Sequence, residues 1–389
     1  MSDLLRIAVA LDAQGWHPGA AQLEKPTSIR TWRRLIGSAE HDGVDFVTIE
    51  DSFVRRGSGH LDALLIASAV APATSRIGLV PTVTTAHTEP FHVATGLQTL
   101  DHASRGRGGW HVQVGDASAE APLFGRRDPA ELSTGLLLDE AADVIEVTRM
   151  LWDSWQDDAV IRDLATGRFL DRTRIHDVRF HGRFFTVEGA SIVPRPPQGQ
   201  LPVTFLAHDT SDYELAARHA DIVYVTPSSD ESARVIVDEV TEVSKRVGRP
   251  ADSLRDAVQG EPLRAYADLL VLLEDTTSAA RDELARLDDR ASAPFVSDAQ
   301  VLATTPGDLA DRIVAWHALG YAGFRLRPAR LPDDLVRIGR DVLPRLASAG
   351  VHRAGDEGGT LRARLGLPRA PNRNTDRATL SLDSTEAVA

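Results

Sequence analysis

Residues 76–110, RIGLVPTVTTAHTEPFHVATGLQTLDHASRGRGGW, contain the pattern that decides the fold. A β-rich run over 76–85 leads into a helical stretch over 90–102, whose apolar residues recur at helical spacing. A second β-rich run follows over 109–115, after a glycine-rich turn. Two strands separated by an amphipathic helix are typical of a parallel sheet with crossover helices, so we predict a β-α-β unit here.

The same unit extends over most of the chain. β-rich runs alternate with helical stretches, and the last of these helices has a clear start at the cap Thr305, followed by Pro306 and Asp308. Eight strands are what a closed (β/α)8 barrel requires, so we predict an α/β fold of the TIM-barrel class. An open, doubly wound sheet is the alternative, because periodicity alone cannot show closure. The predicted strands span residues 6–11, 45–51, 76–85, 109–115, 202–208, 222–226, 267–273 and 323–327.

One long segment interrupts the alternation. Residues 155–200 connect the fourth helix to the fifth strand, and we predict a hairpin over DVRFHGRFFTVEG at 177–189. We therefore predict a single barrel over 1–350 that carries an insertion subdomain over 155–200. The remaining residues, 351–389, form a C-terminal extension whose polar end we expect to be disordered.

Composition and charge narrow the classes of function. The 43 Lys and Arg against 56 Asp and Glu give a formal net charge of -13, which disfavours binding to nucleic acid. The sequence has no cysteine, so disulfides and thiol chemistry are excluded. No apolar run is long enough to span a membrane and no signal peptide is evident, so we expect a cytoplasmic protein.

Polar and aromatic side chains end or follow several predicted strands, at the barrel mouth where the active sites of such folds lie. Among them we select Trp16, His17 and Arg325 as candidate substrate contacts. His87 and His111 are candidate acid–base catalysts, because histidine titrates near neutral pH. Each of these residues also has a purely structural alternative, such as a surface salt bridge for Arg325. No phosphate loop, dinucleotide fingerprint, zinc motif or nucleophile elbow is present in the sequence.

The chain resembles the bacterial-luciferase-like flavin-dependent oxidoreductases, in the branch that includes nitrilotriacetate, long-chain-alkane and dibenzothiophene-sulfone monooxygenases. The matching stretches follow the order of that family over nearly the full length, and the block at 151–203 is specific to the branch. These stretches are GVDFVTIEDS (43–52), residues 76–110 as quoted above, LWDSWQDD (151–158), HGRFFTVEGASIVPRPPQGQLPV (181–203), ELAARHAD (214–221), TPGDLADRIVAWHALGYAGFRL (305–326) and LRARLGLPR (361–369).

The resemblance implies a homodimeric barrel that binds reduced FMN at its mouth, receives it from a separate flavin reductase, and uses O2 to oxidise a small-molecule substrate. It further implies cofactor contacts for Asp51, at the end of the second strand, and for Thr84, at the end of the third. Trp110 matches a tryptophan of the family, whereas the asparagine that usually follows it is His111 in this chain. No metal is implied.

The sequence departs from the family where the flavin phosphate is held. The family has an Ala-Gly-Ser-Ser turn after strand five, and this chain has Leu206-Ala207-His208-Asp209 instead. A carboxylate repels a dianionic phosphate, whereas a protonated His208 would partly compensate, so we place both His208 and Asp209 among the cofactor contacts. A histidine and a tyrosine that the family carries after strand four are also missing, since Thr134 and Leu138 occupy their positions.

Three functions therefore remain open. The first, which we predict, is an FMN-dependent monooxygenase acting on a small organic substrate. The second is hydride transfer with the deazaflavin F420, which would consume no oxygen. The third is a non-catalytic relative or a metal-binding barrel, with Asp51, His87, His111 and His208 as ligands.

Overall fold

The computed structural model describes residues 4–12, 14–20, 25–54, 59–125, 127–247, 263–353 and 358–375. Its strands are β1 (Arg6–Leu11), β2 (Phe46–Ile49), β3 (Gly78–Thr84), β4 (Trp110–Gln113), β5 (Val160–Asp163), β6 (Arg168–Leu170), β7 (Val178–His181), β8 (Thr186–Gly189), β9 (Val203–Leu206), β10 (Ile222–Val225), β11 (Arg264–Leu273), β12 (Val301–Thr304) and β13 (Gly323–Pro328). Its α-helices are α1 (Ile29–Asp42), α2 (Ala63–Val70), α3 (Pro90–Ala103), α4 (Ala117–Phe124), α5 (Thr134–Trp152), α6 (Thr210–His219), α7 (Asp230–Val247), α8 (Thr277–Ala291), α9 (Pro306–His317), α10 (Asp333–Arg337), α11 (Leu343–Ser348) and α12 (Leu361–Arg364).

Eight of the strands close into a parallel barrel. Their order is β10-β9-β4-β3-β2-β1-β13-β11, and β10 then pairs with β11 to complete the circle. The eight strands predicted from the sequence overlap these eight, so the TIM-barrel prediction is confirmed and the open sheet is excluded. The short strand β12 pairs in parallel with the last four residues of β11. Sequence analysis placed no element at β12 or at α7.

The lower part of the barrel interior is apolar. Phe46, Val80 and Tyr266 pack there against Leu361 and other leucines of the C-terminal segment. Because side chains on one face of a strand recur every second residue, the next layer towards the carboxyl ends has a different composition. It contains Thr48, Thr82, His111, Thr204, Tyr224, Asp268 and Arg325, all of which are buried. TIM barrels are normally filled with branched apolar residues, so a layer this polar indicates a functional site above it.

Two antiparallel hairpins lie in the connection between α5 and β9. β5 pairs with β6, and β7 pairs with β8 with Phe180 opposite Val187. The second of these is the hairpin predicted over 177–189. The predicted disorder at the end of the C-terminal extension concerns residues 376–389, which lie outside the described residues. Within the described part of the chain, no helix combines the length and apolarity needed to cross a membrane.

Candidate active site

A cavity of about 710 Å³ opens at the carboxyl ends of the barrel strands. This volume lies in the range of small-molecule and cofactor sites. One wall is apolar and is formed largely by the stretch that leads into α5 and by the end of β9. The floor is polar and belongs to the barrel strands. The apolar side chains that line the cavity are Val112, Val114, Leu132, Leu137, Leu138, Phe205 and Leu206, and the polar ones include Glu50, Asp51, Thr82, His111, Gln113, Asp212, Asp298, Arg325 and Arg327.

A buried ionic network forms one side of the floor. Asp268 on β11 lies between two arginines of the neighbouring strand β13, because it pairs in register with Arg325 and Arg327 lies one step further along the same face. Its carboxylate accepts hydrogen bonds from Arg325 and from the Nε of Arg327 at 3.0 Å. Arg325 also donates to Glu50 at 3.3 Å, and Arg327 donates to Asp298 at 2.7 Å. Both guanidiniums are thus held between carboxylates.

The environment of this network favours its charged form. Burial alone would raise the pKa of Asp268, but Arg325 and Arg327 together lower it below its ordinary value. The pKa of Arg327 is raised, because Asp268 and Asp298 outweigh the effect of burial. Two aromatic rings cover the cations, with Tyr224 at 4.2 Å from the Arg325 guanidinium and Trp16 at 4.5 Å from that of Arg327.

His111 reaches the network from β4 and has a defined protonation state. Arginine can only donate, so the 3.2 Å contact with Arg325 makes Nε2 of His111 an acceptor. The other ring nitrogen, Nδ1, then carries the proton and donates to the hydroxyl of Thr204 at 3.0 Å. Burial, followed by the charge of Arg325, lowers the pKa of His111 well below 6.5. His111 is therefore a neutral acceptor towards Arg325 in this structure, and the acid–base role predicted from the sequence stays a prediction.

The depressed pKa of His111 has a consequence for stability. Below pH 6.5 the unfolded chain binds a proton at this histidine that the folded protein does not, so the free energy of unfolding falls as the pH falls. We expect His111→Asn to reduce this slope by about 1.4 kcal/mol per pH unit below the unfolded-state pKa. Urea denaturation of both proteins at pH 7.5, 6.0 and 5.0 measures the difference. Parallel pH profiles for the two proteins would contradict the assignment.

Besides the Nε of Arg325, two polar atoms of cavity-lining residues have no hydrogen-bond partner among the described residues. They are the hydroxyl oxygen of Thr82 on β3 and the amide oxygen of Gln113 at the end of β4, and both residues line the cavity. Thr82 is only 3% exposed. Buried polar groups are normally satisfied, so an unpaired pair facing a cavity indicates a ligand with its own donors and acceptors.

Comparison with known proteins agrees with this geometry. The sequence model of the luciferase-like monooxygenase family matches residues 8–337. The chain belongs to that family. It is 28% identical to N-acetyl-S-(2-succino)cysteine monooxygenase of Bacillus subtilis (strain 168), over 92% of this chain and 94% of that protein. It is 29% identical to nitrilotriacetate monooxygenase component A of Aminobacter aminovorans, again over 92% and 94%.

Solved structures support the fold of this luciferase-like protein. The crystal structure of a riboflavin lyase, determined with modified FMN and riboflavin, superposes with a TM-score of 0.82 at 22% identity. The superposition covers 95% of this chain and 98% of the other. EDTA monooxygenase from Chelativorans sp. BNC1 gives a TM-score of 0.81 at 21% identity, over 95% and 99% of the two chains. At these identities the likeness concerns the barrel and its connections.

In the turn after β9 of this luciferase-like barrel, backbone amides are hydrogen-bonded to nearby aspartate side chains. Asp209 is the N-cap of α6 and accepts hydrogen bonds from the amides of Ser211 at 2.8 Å and Asp212 at 3.1 Å. Asp212 in turn accepts from the amide of His208 at 3.0 Å and lines the cavity. Asp209 does not line it. The amides that a helix N-terminus would offer to an anion are thus already bonded to carboxylates.

Five of the residues predicted to form the site are brought together. Trp16, Asp51, His111, His208 and Arg325 all line the cavity. Asp51 also fixes the start of α2, because its carboxylate accepts from the amides of Ser52 and Ala63 at 2.7 Å each. Burial raises the pKa of this carboxyl group. Arg325 is fully buried, so the surface salt bridge considered as its alternative is wrong.

The other predicted residues lie outside the cavity lining. Trp110 faces the helices, where its indole donates to the carbonyl of Val83 and packs edge-to-face on Trp152, because its neighbour His111 takes the inward position. Thr84 is buried at the end of β3 without lining the cavity.

Two predicted histidines are also displaced from the cavity. His87 stacks on Phe124 of α4 with the ring centroids 4.8 Å apart. His17 ties the loop after β1 to α8, because its Nδ1 accepts from the amide of Gly19 and its Nε2 contacts Asp288 at 3.1 Å. Among the described residues no group of three or more potential metal ligands occurs, so Asp51, His87, His111 and His208 do not form the metal site considered above.

Sequence analysis missed the residue at the centre of the network, Asp268. The signal was present, since Asp268 is the one charged residue in the apolar run AYADLLVLL (265–273). A lone carboxylate in a buried strand needs a cation, and Arg325 and Arg327 were available in the last strand. What the sequence did not reveal is the register between β11 and β13, which places Asp268 beside Arg325.

Proposed function

We propose that the protein is a flavin-dependent monooxygenase that oxidises a small organic substrate inside the 710 Å³ cavity. The observation that carries the proposal is the pair of unpartnered atoms on Thr82 and Gln113, at the floor of a cavity in a luciferase-like barrel. A hydroxyl and a carboxamide on the neighbouring strands β3 and β4 can donate to and accept from the polar edge of a flavin ring. When bound, the reduced flavin would supply the electrons that activate O2.

The two parts of FMN fit the site unequally. The flavin ring matches the cavity in size, in its apolar wall and in the unpartnered atoms of its floor. The phosphate does not match the turn at 206–209, where Asp209 and Asp212 already occupy the amides at the start of α6. We therefore assign no residue of this turn to phosphate binding.

The roles of the chain's own residues follow from their positions. The apolar wall that includes Leu137, Leu138 and Phe205 excludes water from the reacting atoms. Thr82 and Gln113 orient the ring. Trp16 covers Arg327 at the mouth and limits the space left for the substrate. His111 holds no proton at Nε2 and keeps Arg325 in place.

A separate reductase is part of the proposal. The relative from Aminobacter aminovorans is named as component A of its enzyme, which supports a system with more than one protein. We propose that this chain likewise receives its reduced flavin from a partner protein and O2 from solution.

Removal of the Thr82 hydroxyl should weaken flavin binding selectively. We expect Thr82→Val to raise the Kd for reduced flavin about fivefold to tenfold, the effect of one lost hydrogen bond. The matched control is Thr148→Val, since Thr148 is equally buried and its hydroxyl also has no partner among the described residues, but it lies in α5 away from the cavity. Quenching of tryptophan fluorescence during anaerobic titration gives both Kd values. If the two substitutions raised the Kd for reduced flavin equally, Thr82 would not be a flavin contact.

Oxygen consumption tests the reaction type. Protein is titrated anaerobically with reduced flavin, air-saturated buffer is added, and oxygen uptake is followed with candidate organic substrates. Saturable flavin binding and substrate-dependent oxygen uptake are expected. Failure to bind any flavin would overturn the proposal, and substrate oxidation without oxygen uptake would indicate hydride transfer instead.

A further inference from the structure

The charges around the cavity are strongly unbalanced. Two arginines line it, Arg325 and Arg327, against five carboxylates from the described residues, and a sixth, that of Asp268, lies directly beneath. The five lining carboxylates belong to Glu50, Asp51, Asp116, Asp212 and Asp298. A bound anion would therefore meet a net negative field rather than the positive one that anion sites provide.

Both arginines are already paired with carboxylates, although the Nε of Arg325 has no hydrogen-bond partner among the described residues. Arg325 is shared between Asp268 and Glu50, and Arg327 between Asp268 and Asp298. His208 at the rim lies 3.7 Å from Asp298 and is thus also next to a carboxylate. A phosphate would have to break one of these pairs to obtain a cation, and it would leave a buried carboxylate uncompensated.

The helix N-terminus nearest to this rim does not provide an anion site either. The ten-residue helix α6 has its first amides bonded to Asp209, and the preceding amide of His208 bonded to Asp212. Asp209 is the N-cap of the helix and Asp212 lies in its first turn. A phosphate placed here would displace them and still face their charges a few ångströms away.

The floor of the cavity points to an uncharged ligand. There the unpartnered hydroxyl of Thr82 and the amide oxygen of Gln113 can satisfy a neutral ring with donors and acceptors. We propose that this cavity selects a flavin without the 5′-phosphate, so that riboflavin is preferred over FMN, and that Asp209 and Asp212 set this preference. The inference rests on the proposed function, because it presumes that the cavity binds a flavin ring.

Parallel titrations with two flavins test the preference. The full-length protein is titrated anaerobically with reduced riboflavin and, separately, with reduced FMN, and tryptophan quenching gives the two Kd values. We expect riboflavin to bind about tenfold tighter or more, the reverse of what a phosphate site would produce. No catalytic activity is needed for this measurement.

Substitution of the two acids identifies their role. In Asp209→Asn/Asp212→Asn the side chains keep their acceptor oxygens, and asparagine is a good N-cap, so α6 should stay intact. We expect FMN affinity to rise until the ratio falls to about threefold or less, with riboflavin affinity unchanged. The control is Asp308→Asn, which neutralises an exposed acid in the first turn of α9, outside the cavity lining, and should leave the ratio as it is.

The outcomes separate the inference from the proposed function. Tighter riboflavin binding that depends on Asp209 and Asp212 supports both. FMN binding equal to or tighter than riboflavin binding overturns the inference and leaves the monooxygenase proposal standing. Binding of neither flavin overturns both. A preference that persists unchanged in the double variant would show that these two acids do not set it.

Discussion

Asp268→Asn should lower the free energy of unfolding by about 3–5 kcal/mol, the cost of removing one partner from a buried ionic network. Asp268 is fully buried and is the carboxylate that Arg325 and Arg327 share. Without its charge, two guanidiniums would lie side by side in the barrel interior with only Glu50 and Asp298 to balance them. Urea denaturation followed by far-UV circular dichroism at pH 7.5 measures the loss.

A surface ion pair provides the matched control for this substitution. Asp341 contacts Arg340 at 2.8 Å, but the Arg340 side chain is 65% exposed. Asp341→Asn should therefore cost at most about 1 kcal/mol, since exposed pairs contribute little. If both substitutions cost the same, the barrel interior is screened by solvent and the network is not the buried structure described above.

The buried ionic network is better explained by a role in the cavity than by a contribution to the stability of the fold. Replacing a buried ionic cluster by apolar residues of similar volume is often neutral or stabilising. Asp268→Leu combined with Arg325→Met and Arg327→Met should accordingly recover most of the stability that Asp268→Asn loses. The same triple variant should bind flavin more weakly, because one side of the polar floor would become apolar. Recovered stability with unchanged flavin affinity would show that the network has no part in the site.

The fold was predictable because its signals are local. Each strand of the barrel corresponds to a short β-rich run in the sequence. The helix cap predicted at Thr305 is also present, since the Thr305 hydroxyl accepts a hydrogen bond from the amide of Asp308 at 3.1 Å. Sequence analysis assigned no element to helix α7, although its buried residues Ala233, Val237 and Val240 recur at helical spacing. The short strand β12 was missed because four residues, VLAT, give little pattern.

The site was predictable only in part, because it depends on the register between neighbouring strands and on which way each residue faces. Asp51 and His208 were selected because they end predicted strands, and Arg325 because it lies in the last strand. All three line the cavity. The prediction placed Trp110 at the cofactor, but Trp110 points outward from β4 and His111 points inward. The sequence shows that neighbouring residues of a strand face opposite sides, but not which residue faces the barrel interior. The pairing of Asp268 with Arg325 joins residues 57 positions apart and depends on the register between β11 and β13, which the sequence does not show.

The C-terminal segment closes the lower end of the barrel, and Leu361 is its central residue. Leu361 is fully buried against the apolar layer formed by Phe46 and Val80, and its amide donates to the carbonyl of Gly106 at 2.8 Å. We expect Leu361→Ala to lower the free energy of unfolding by about 3 kcal/mol, because the surrounding strands cannot collapse into the space. Leu361→Met should cost less than about 1.5 kcal/mol. The control Leu164→Ala should have almost no effect, since Leu164 is 97% exposed.

A double-mutant cycle with Gly78 tests the contact itself. A methyl group on Gly78 of β3 would lie 2.6 Å from the Cδ1 of Leu361 and 2.6 Å from the Cβ of Phe46, so Gly78→Ala alone should be destabilising. In the Leu361→Ala background the first of these clashes disappears, and Gly78→Ala should cost about 1 kcal/mol less than in the wild type. Strict additivity of the two substitutions would mean that Leu361 does not lie against β3. In that case the lower end of the barrel would be closed by other residues, and truncation of the chain before residue 358 should leave the barrel folded.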